Sequence, residues 1–374
     1  MKIKKKVILH LLTSLGPGGA QSTLGSLVSD PDSSASPIVV ALEGGGIYVD
    51  IIRSYGVEVH TLGFSKWRPN VIPLLRFLRI IFVNKPDVIQ AWMYHAELLS
   101  LVAKIILKVP VYWNIRSGIH AGLGSILVRA CAFLSSLPDA VVVNSFHGKL
   151  VHQQLGYSPK RWVVIHNGID IHRFRPCVES RLSVRREFGL SDSCFIVGLV
   201  ARIAPQKGHD LLFRASKVLI EKFPNLFFFI VGAGDPESER EARELVSDIA
   251  PLGRILFLGQ RTDVARLTTS FDVACMISEG EGFPNVLAEA MATGVPCVVT
   301  NVGDAALLLD NEYLTINSGD LVALISKIEW LISLPETERQ SIGARGRDRI
   351  VRSFGVLSMR QKYNSLYSVY FGDK

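Results

Sequence analysis

The sequence is poor in cysteine, and the cysteines that it has are scattered. They are odd in number and no two stand in a C-x-x-C spacing; the five are Cys131, Cys177, Cys194, Cys275 and Cys297. This pattern predicts neither a disulfide framework nor a zinc site, and it fits a reducing cytosol.

Apolar runs long enough to cross a membrane are also missing. The most apolar stretches are interrupted by Arg76 and Arg79, or by Lys104 and Lys108, and so fall short of roughly 18 uncharged residues. The N-terminal MKIKKKVILHLLTSLGPGGAQ begins like a signal peptide, but its apolar run contains His10 and no small-x-small cleavage site follows. We therefore expect a first strand here, and a cytoplasmic protein that is soluble or peripheral to a membrane.

Low-complexity segments and short internal repeats are absent, and the composition is that of a globular protein. A length of 374 residues predicts two domains. Residues 1–175 hold 19 Lys and Arg against 9 Asp and Glu, whereas the rest holds 22 against 25. The first half is therefore basic, and VIPLLRFLRIIF (71–82) adds an apolar, arginine-bearing stretch suited to an anionic membrane surface. A core helix with two solvated arginines is the alternative.

Short β-branched runs alternate with helical stretches, which predicts α/β architecture with parallel sheets. The first set of expected strands is 7–12, 37–42, 57–62, 87–92, 109–115, 139–145 and 161–167. The second set is 194–202, 226–234, 254–260, 271–278 and 296–301. We thus predict two Rossmann-like domains, 1–175 and 190–355, with a linker at 176–189. Ligands of such sheets bind beyond the carboxyl ends of the strands, so the loops there are expected to face a shared cleft.

Two cations follow the first strand of the second domain. In GLVARIAPQKG (198–208), Arg202 and Lys207 precede a glycine and a helix. Fixed positive charge and free amide groups at a helix N-terminus both favour an anion, so the loop is a candidate diphosphate site. A solvated loop with two incidental bases is the alternative.

A glycine-rich loop, SLGPGGAQ (14–21), follows the first strand of the chain. It partly matches a dinucleotide fingerprint, with Glu43 at a suitable distance, but Gln21 stands where Gly or Ala is expected. Asp30-Pro31-Asp32 has the spacing of a metal-holding pair, yet its surroundings are those of a turn, and we expect no metal there.

The stretch SEGEGFPNVLAEAMATG (278–294) places Glu281 on a glycine-bounded loop and Glu289 inside an apolar helix. A glutamate in such a helix requires a partner, which is either a ligand hydroxyl or a basic residue in a structural salt bridge. His95, just past the fourth expected strand, is either a functional acid, base or hydrogen-bond donor, or a structural residue. Strand ends carry further polar residues that can line an acceptor site or the cleft: Asn114, Arg116, Asn144, Ser145 and Asn167.

Together these motifs resemble the GT-B glycosyltransferases of family four, which are retaining enzymes. The resemblance rests on the E-x7-E pair Glu281 and Glu289, the R-x4-K pair in VARIAPQKG, HNGIDIHRFRP (166–176) and SFGVLSMRQKYNSLY (353–367). It covers essentially the whole chain and implies two Rossmann-like domains facing a central cleft. It also implies that a C-terminal helix, 356–374, crosses back to the first domain.

The resemblance implies a role for each matching residue. Arg202 and Lys207 would neutralise the diphosphate of a nucleotide sugar, and Glu289 would hold its ribose. Glu281 and the backbone around the next residues would hold the sugar: Gly282, Phe283, Pro284, Asn285 and Val286. The first domain would contribute Gly18 and Gly19 against the phosphates and His95 near the sugar. The base would lie at Gln260 and Arg261.

The activity implied is retaining transfer of a hexose or N-acetylhexosamine from a UDP-sugar, without a metal or other cofactor. Pro284-Asn285 replaces the commoner Gly-Leu of the family, and this variant with WMYHAELL resembles enzymes of bacterial surface polysaccharide synthesis. The implied acceptor is a lipid-linked or lipopolysaccharide glycan at the cytoplasmic face of the inner membrane, with no nucleic acid as partner. An NAD-dependent oxidoreductase and a non-catalytic nucleotide-sugar-binding protein are the alternatives.

Overall fold

The computed structural model describes residues 5–30, 35–64, 71–116 and 126–369. The chain divides into two compact units. The first consists of Met1–Gly168 and Val356–Lys374, and the second of Ile169–Gly355.

The described strands form two parallel sheets. The first unit holds β1 Lys6–Leu12, β2 Ala35–Ala41, β3 Glu58–Thr61, β4 Val88–Trp92, β5 Val111–Ile115, β6 Ala140–Val143 and β7 Trp162–Val164. The second holds β8 Phe195–Val200, β9 Leu226–Val231, β10 Ile255–Gly259, β11 Val273–Met276, β12 Cys297–Thr300 and β13 Thr315–Ile316. The strand orders are β3-β2-β1-β4-β5-β6-β7 and β10-β9-β8-β11-β12-β13. In each sheet the order reverses beside the first strand, which is where doubly wound sheets bind ligands.

Helices connect these strands and cover the sheets. Those before the second sheet are α1 Gly19–Val28, α2 Tyr48–Ser54, α3 Ile72–Asn84, α4 Tyr94–Leu107, α5 Ile126–Leu134, α6 Phe146–Gln154 and α7 Val178–Glu187. Those that follow are α8 His209–Lys222, α9 Pro236–Glu244, α10 Val264–Thr268, α11 Asn285–Ala292, α12 Ala305–Leu309, α13 Leu321–Ser333, α14 Glu336–Ser353 and α15 Val356–Ser368. No helix within the described ranges is both long enough and apolar enough to span a membrane.

The strands are buried on both faces, as their unbroken apolar sequences predict. In the first unit one face packs against a cluster that includes Leu11, Ala91 and Trp113, and the other against a cluster that includes Leu12 and Trp92. Every strand expected from the sequence is present and parallel, which confirms the fold class. The sequence analysis missed β13, because a two-residue strand is too short to show any periodicity.

Helix α15 belongs to the first unit, although it follows the second in sequence. Its buried face contributes Met359, Tyr363, Leu366 and Tyr367 to the first unit's core, with exposures of 0–2%. This agrees with the crossing helix that the family resemblance implied; residues 370–374 of the predicted helix lie outside the described residues.

The linker expected at 176–189 is corrected by the structure. The contact boundary falls between Gly168 and Ile169, and residues 178–187 form helix α7 of the second unit. Arg181 and Arg185 of α7 both bind Asp272 beside β11, at 2.7 and 3.0 Å. The polar composition that suggested a linker therefore comes from arginines that attach α7 to the second unit.

Candidate active site

The loop after β8 brings Arg202 and Lys207 to the carboxyl end of the second sheet. A short 3-10 turn, Pro205–Lys207, leads into α8 through Gly208. Gly208 has a φ of +73°, and a Cβ there would lie 2.1 Å from the carbonyl oxygen of Ile277. Only glycine can make this close approach, which holds the cationic loop against the end of β11. Arg202 is exposed and makes no recorded contact with the described residues.

Glu281 lies on the neighbouring loop and pairs with the second cation. Lys207 Nζ lies 2.6 Å from Glu281 Oε1, and the Ser278 hydroxyl donates to the same oxygen at 2.8 Å. Their side chains are mostly buried, with 25% of Lys207 and 15% of Glu281 exposed. The backbone joins the loops as well, because the Glu279 N–H donates to the Gln206 carbonyl at 2.9 Å.

These two loops border a pocket of about 270 Å³ within the second unit. Its polar lining includes Arg202, Lys207, Ser278, Glu281 and Asn285. The pocket thus combines two cations, a carboxylate and the N-terminal turn of α11, which carries partial positive charge. This arrangement can bind an anionic group and, through the Glu281 carboxylate, neighbouring hydroxyl groups.

The segment between Glu281 and α11 is held in place by the backbone at Gly303 and Asp304 and by the packing of Phe283. Gly303 has a φ of +56°, and a Cβ there would lie 2.3 Å from the Glu281 carbonyl oxygen. The Asp304 N–H donates to the Gly282 carbonyl at 2.9 Å. Phe283 is buried against Phe354, with ring centroids 5.8 Å apart. The side chain of Phe283 therefore anchors the segment, while Pro284, Asn285 and Val286 line the pocket.

Glu289 lies about one turn into α11, and its carboxylate has no recorded hydrogen bond or ion pair with the described residues. It is half-buried and lines a cavity of about 10 Å³ that shares Val200 and Val286 with the larger pocket. Burial raises the pKa of Glu289 from 4.5 to about 7, and the charge of Arg173 opposes this only partly. A structural salt bridge, the alternative left open by the sequence, is thus not present among the described residues.

The residues expected to hold the base do not line either of these cavities. Gln260 is exposed. Arg261 binds Asp263 in bidentate fashion at 2.8 and 2.9 Å and reaches Glu187 at 3.2 Å. These partners raise the pKa of Arg261, so its guanidinium is engaged within the second unit.

In the first unit, Gly18 and Gly19 lie at the start of α1. The Gln21 amide donates to the Ser14 carbonyl at 3.1 Å, and its Oε1 would lie 2.4 Å from a Cβ at Gly18. Gln21 therefore occupies space beside Gly18 that a dinucleotide fingerprint keeps clear with a small residue. His95 is exposed in the first turn of α4, as its place after β4 predicted.

Of the five residues suggested as acceptor or cleft lining, four have partners inside the first unit, namely Asn114, Arg116, Ser145 and Asn167, and the lining role of all five stays a prediction. Asn114 and Arg116 both donate to the Tyr363 hydroxyl of α15, and Arg116 also donates to Asn167. The Ser145 hydroxyl accepts from the Gly148 N–H at 2.9 Å and caps α6. Asn144 is 6% exposed. Polar residues at strand ends here hold α15 and α6, a role that spacing alone does not separate from ligand binding.

Two residues that the sequence analysis did not single out now belong to the candidate sites. Ser278 orients Glu281, and its position three residues before that glutamate was the available signal. Glu97 of α4 is fully buried near His95. Within the described ranges, no group of three or more His, Cys, Asp or Glu side chains is arranged to hold a metal.

Family models match both parts of the chain. Residues 27–173 match the model described as Glycosyltransferase Family 4, and residues 194–333 match Glycosyl transferases group 1. The second match contains Arg202, Lys207, Glu281 and Glu289. The loops that build the pocket are thus part of a recognised glycosyltransferase region.

Several relatives resemble this chain. It is 29% identical to UDP-Gal:alpha-D-GlcNAc-diphosphoundecaprenol alpha-1,3-galactosyltransferase of Escherichia coli, in a match spanning 58% of this chain and only 56% of that enzyme. It is 25% identical to the lipopolysaccharide core biosynthesis mannosyltransferase LpsB of Rhizobium meliloti, covering 86% and 91%.

Solved structures share the fold of this chain. Anabaena Alr3699/HepE in complex with UDP superposes with a TM-score of 0.84 at 24% identity, covering 97% of this chain and 99% of that one. Sucrose-phosphate synthase from Thermosynechococcus elongatus superposes with a TM-score of 0.78 at 16% identity, covering 98% and 99%. These comparisons do not support the oxidoreductase alternative. The fold of each unit, the loops of the pocket and the family matches all support the same assignment. The chain belongs to the GT-B glycosyltransferases of family four.

Proposed function

We propose that the protein transfers a hexose or N-acetylhexosamine from a UDP-sugar to a lipid-linked or lipopolysaccharide glycan, with retention of the anomeric configuration. The transfer would serve bacterial cell-surface polysaccharide synthesis and would need no metal. The observation that carries this proposal is the pocket in the second unit that gathers Arg202, Lys207 and Glu281.

The charges of this pocket suit the departure of a diphosphate. Breaking the bond between the sugar and the phosphate places negative charge on the leaving group. Arg202 and Lys207 are the cations that would stabilise it, and the amino end of α11 would add its dipole. Because this stabilisation grows as the bond breaks, it lowers the barrier rather than merely tightening binding.

The two glutamates would then have separate tasks. Glu281 is held by Lys207 and Ser278 through Oε1, which leaves Oε2 without a recorded partner among the described residues. We assign Oε2 to a hydroxyl of the sugar. The carboxylate of Glu289 has no recorded partner among the described residues and adjoins the pocket, so we assign it to the ribose hydroxyls, which would supply the missing hydrogen bonds.

The choice of UDP and of the acceptor class rests on the relatives. The E. coli relative is named for UDP-galactose and a diphosphoundecaprenol acceptor, the Rhizobium relative for lipopolysaccharide core synthesis, and the Anabaena structure contains UDP. Gly18, Gly19 and His95 of the first unit, and Gln260 and Arg261 of the second, stay predicted contacts with the nucleotide sugar.

We also propose that the first unit contacts the cytoplasmic face of the inner membrane. Apolar side chains are exposed on several of its helices, among them Phe82 on α3, Ile105 on α4 and Phe133 on α5. Together with the basic balance of residues 1–175, they suit an anionic bilayer. Cosedimentation with anionic vesicles at low salt tests this, and absence of binding there would contradict it.

The main experiment combines nucleotide binding with product analysis. Thermal stabilisation by UDP, GDP and NADH would first identify the base, and UDP is expected to stabilise most. Transfer from UDP-hexoses and UDP-N-acetylhexosamines to polyprenyl-diphosphate sugars would then be followed, with the anomeric configuration of the product read by NMR.

Matched variants make this experiment specific. Lys207→Ala should abolish transfer, whereas Lys217→Ala, which removes a half-buried lysine of α8 that pairs with Asp248, should leave it unchanged. Stabilisation by NADH alone would favour an oxidoreductase. If UDP-sugars bind but are neither transferred nor slowly cleaved to release UDP, a non-catalytic binding protein would be favoured.

A further inference from the structure

The start of α4 has a strained backbone. Met93, the residue before the helix, has a φ of +69° and a ψ of 159°, a region that is otherwise nearly restricted to glycine. Hydrogen bonds hold it there, because the Met93 N–H donates to the Asn114 carbonyl and the Glu97 N–H to the Met93 carbonyl, both at 3.1 Å. His95 lies between Met93 and Glu97 in this first turn. Strain of this kind persists where the surrounding structure fixes one conformation.

Glu97 is the second unusual feature of the same turn. Its side chain is completely buried, with 0% exposure. Neither carboxylate oxygen has a hydrogen-bond partner in the described part of the chain. Buried polar groups are nearly always satisfied, and an unpaired charge in the interior is far more costly than a neutral acid.

Cys131 and Tyr157 interact with Glu97, and Tyr94 and His152 adjoin these two residues. Tyr94 is on α4 itself, Cys131 is on α5, His152 is on α6, and Tyr157 follows α6. The Tyr94 hydroxyl is 3.0 Å from His152 Nε2, and Cys131 Sγ donates to the Tyr94 carbonyl at 3.5 Å. Burial and Glu97 together raise the pKa of Cys131 to about 12 and that of Tyr157 beyond its usual range. Burial lowers the pKa of His152, so this ring is neutral as well.

The sheet beneath α4 adds no counter-charge. The cluster on this face of the sheet contains apolar side chains from β1, β4 and β5, among them Leu11, Ala91 and Trp113. Among the described residues no charge opposes the effect of burial, which raises the pKa of Glu97 well above its ordinary value. A fully buried carboxyl group with no hydrogen-bond partner among the described residues therefore favours its uncharged form.

We propose that Glu97 is a positioning residue of the transfer reaction: its buried, unpaired carboxyl group leaves the first turn of α4, and with it His95, in place only while the group is uncharged. This rests on the proposed function, in which His95 lies near the transferred sugar. Ionisation of Glu97 would leave a charge without a counter-ion in an apolar interior. The turn that carries Glu97 would have to move to hydrate that charge, and it would displace His95 with it.

The test compares Glu97→Gln, which is uncharged at every pH, with wild type. Glu58→Gln, at an exposed position of β3, is the matched control. Glu97→Gln should keep kcat at pH 7 within about twofold of wild type. In wild type and Glu58→Gln, kcat should fall by about tenfold per pH unit once Glu97 ionises, whereas in Glu97→Gln this alkaline limb should move to higher pH. UDP affinity should be equal in all three proteins, because UDP carries no sugar for His95 to contact.

Coincident pH profiles of kcat in wild type and Glu97→Gln would overturn the proposal. Glu97→Ala should lower kcat without changing UDP affinity, and wild-type kcat in that variant would overturn it as well. If Glu97→Ala does not fold, the pH profile of Glu97→Gln still tests the proposal.

A spectroscopic measurement separates this proposal from the proposed function. The ring C–H signals of His95, assigned with His95→Asn, should show an alkaline transition in wild type and none in Glu97→Gln. This transition is observable even if no sugar transfer is found, in which case the function fails and the positioning role of Glu97 stands. Its absence in an enzyme that does transfer sugar would overturn the role of Glu97 alone.

Discussion

Replacing Glu289 with glutamine should make the ligand-free protein more stable at alkaline pH. Burial raises the pKa of Glu289 from 4.5 to about 7. An acid with a raised pKa in the folded state favours the protonated form there, so stability falls as the pH rises from about 4.5 to about 7 and stays lowered above that. A glutamine cannot ionise and escapes this loss.

The expected size follows from the same two values. Each pH unit of difference corresponds to 1.36 kcal/mol, which gives about 3 kcal/mol for the interval between 4.5 and about 7. Because the side chain is only half-buried, we expect about 2–3 kcal/mol at pH 8 and nearly none at pH 4. The difference between the two pH values is the quantity to compare, since it cancels any pH-independent effect of the amide itself.

The assay is urea unfolding of wild type and Glu289→Gln at both pH values, with Glu241→Gln as a control at an exposed position of α9. A second measurement follows UDP, which at about 100 times its dissociation constant should stabilise wild type by about 2.7 kcal/mol. Glu289→Gln should lose most of this gain, because the amide cannot accept hydrogen bonds from two ribose hydroxyls through two oxygens.

The prediction about stability and the prediction about UDP binding can each fail independently. A Glu289→Gln variant that gains no more stability over wild type at pH 8 than at pH 4 would refute the raised pKa of Glu289. A variant that is stabilised but binds UDP as wild type does would leave the raised pKa intact and refute the assignment to the ribose. Since the terminal phosphate of UDP itself titrates near pH 6, wild type and variant are compared at the same pH.

Further predictions concern the cationic loop and the attachment of α15. Lys207→Ala should weaken UDP binding about 10- to 100-fold by calorimetry, the usual range for a charge-assisted hydrogen bond; unchanged affinity would exclude Lys207 from the diphosphate site. Gly208→Ala should destabilise the protein by about 2 kcal/mol or more, measured by urea unfolding, because its φ is positive and Ile277 blocks the Cβ. Tyr363→Phe should lower the melting temperature of the first unit, since about 1–3 kcal/mol is lost when Asn114 and Arg116 lose their acceptor. A chelator should leave the transfer rate unchanged, and loss of activity that Mg²⁺ restores would refute metal independence.

The sheets could be predicted from the sequence because their signal is local. Strands such as β9, LFFFIV, are apolar at every position, and this occurs where a parallel strand is covered on both faces. The boundary between the units could not be placed in the same way. Helix α7 has a polar, arginine-rich sequence, and its ion pairs with Asp272 and the burial of Val184 show that it belongs to the second unit.

Part of the candidate site could be predicted from residue types and from their positions at strand ends. Arg202, Lys207 and Glu281 were expected in one site, and they line one pocket. The contact of Lys207 with Glu281 was not foreseen, since it depends on Gly208 bringing two loops together. Conversely, Asn114 and Arg116 had the expected positions, but their partner is a tyrosine almost 250 residues later in the chain.

Glu97 and Glu289 show why the sequence alone does not assign roles to acids in apolar helices. Both have Ala and Leu neighbours, and burial raises the pKa of both. Glu289 adjoins the nucleotide pocket and must ionise to accept ribose hydroxyls, whereas Glu97 is enclosed and must stay neutral to hold its turn. Sugar transfer would then require a pH above about 7 for Glu289 and below the pKa of Glu97. The acid and alkaline limbs of the pH profile should affect different kinetic constants. Loss of ribose binding raises KM on the acid side, whereas displacement of His95 lowers kcat on the alkaline side.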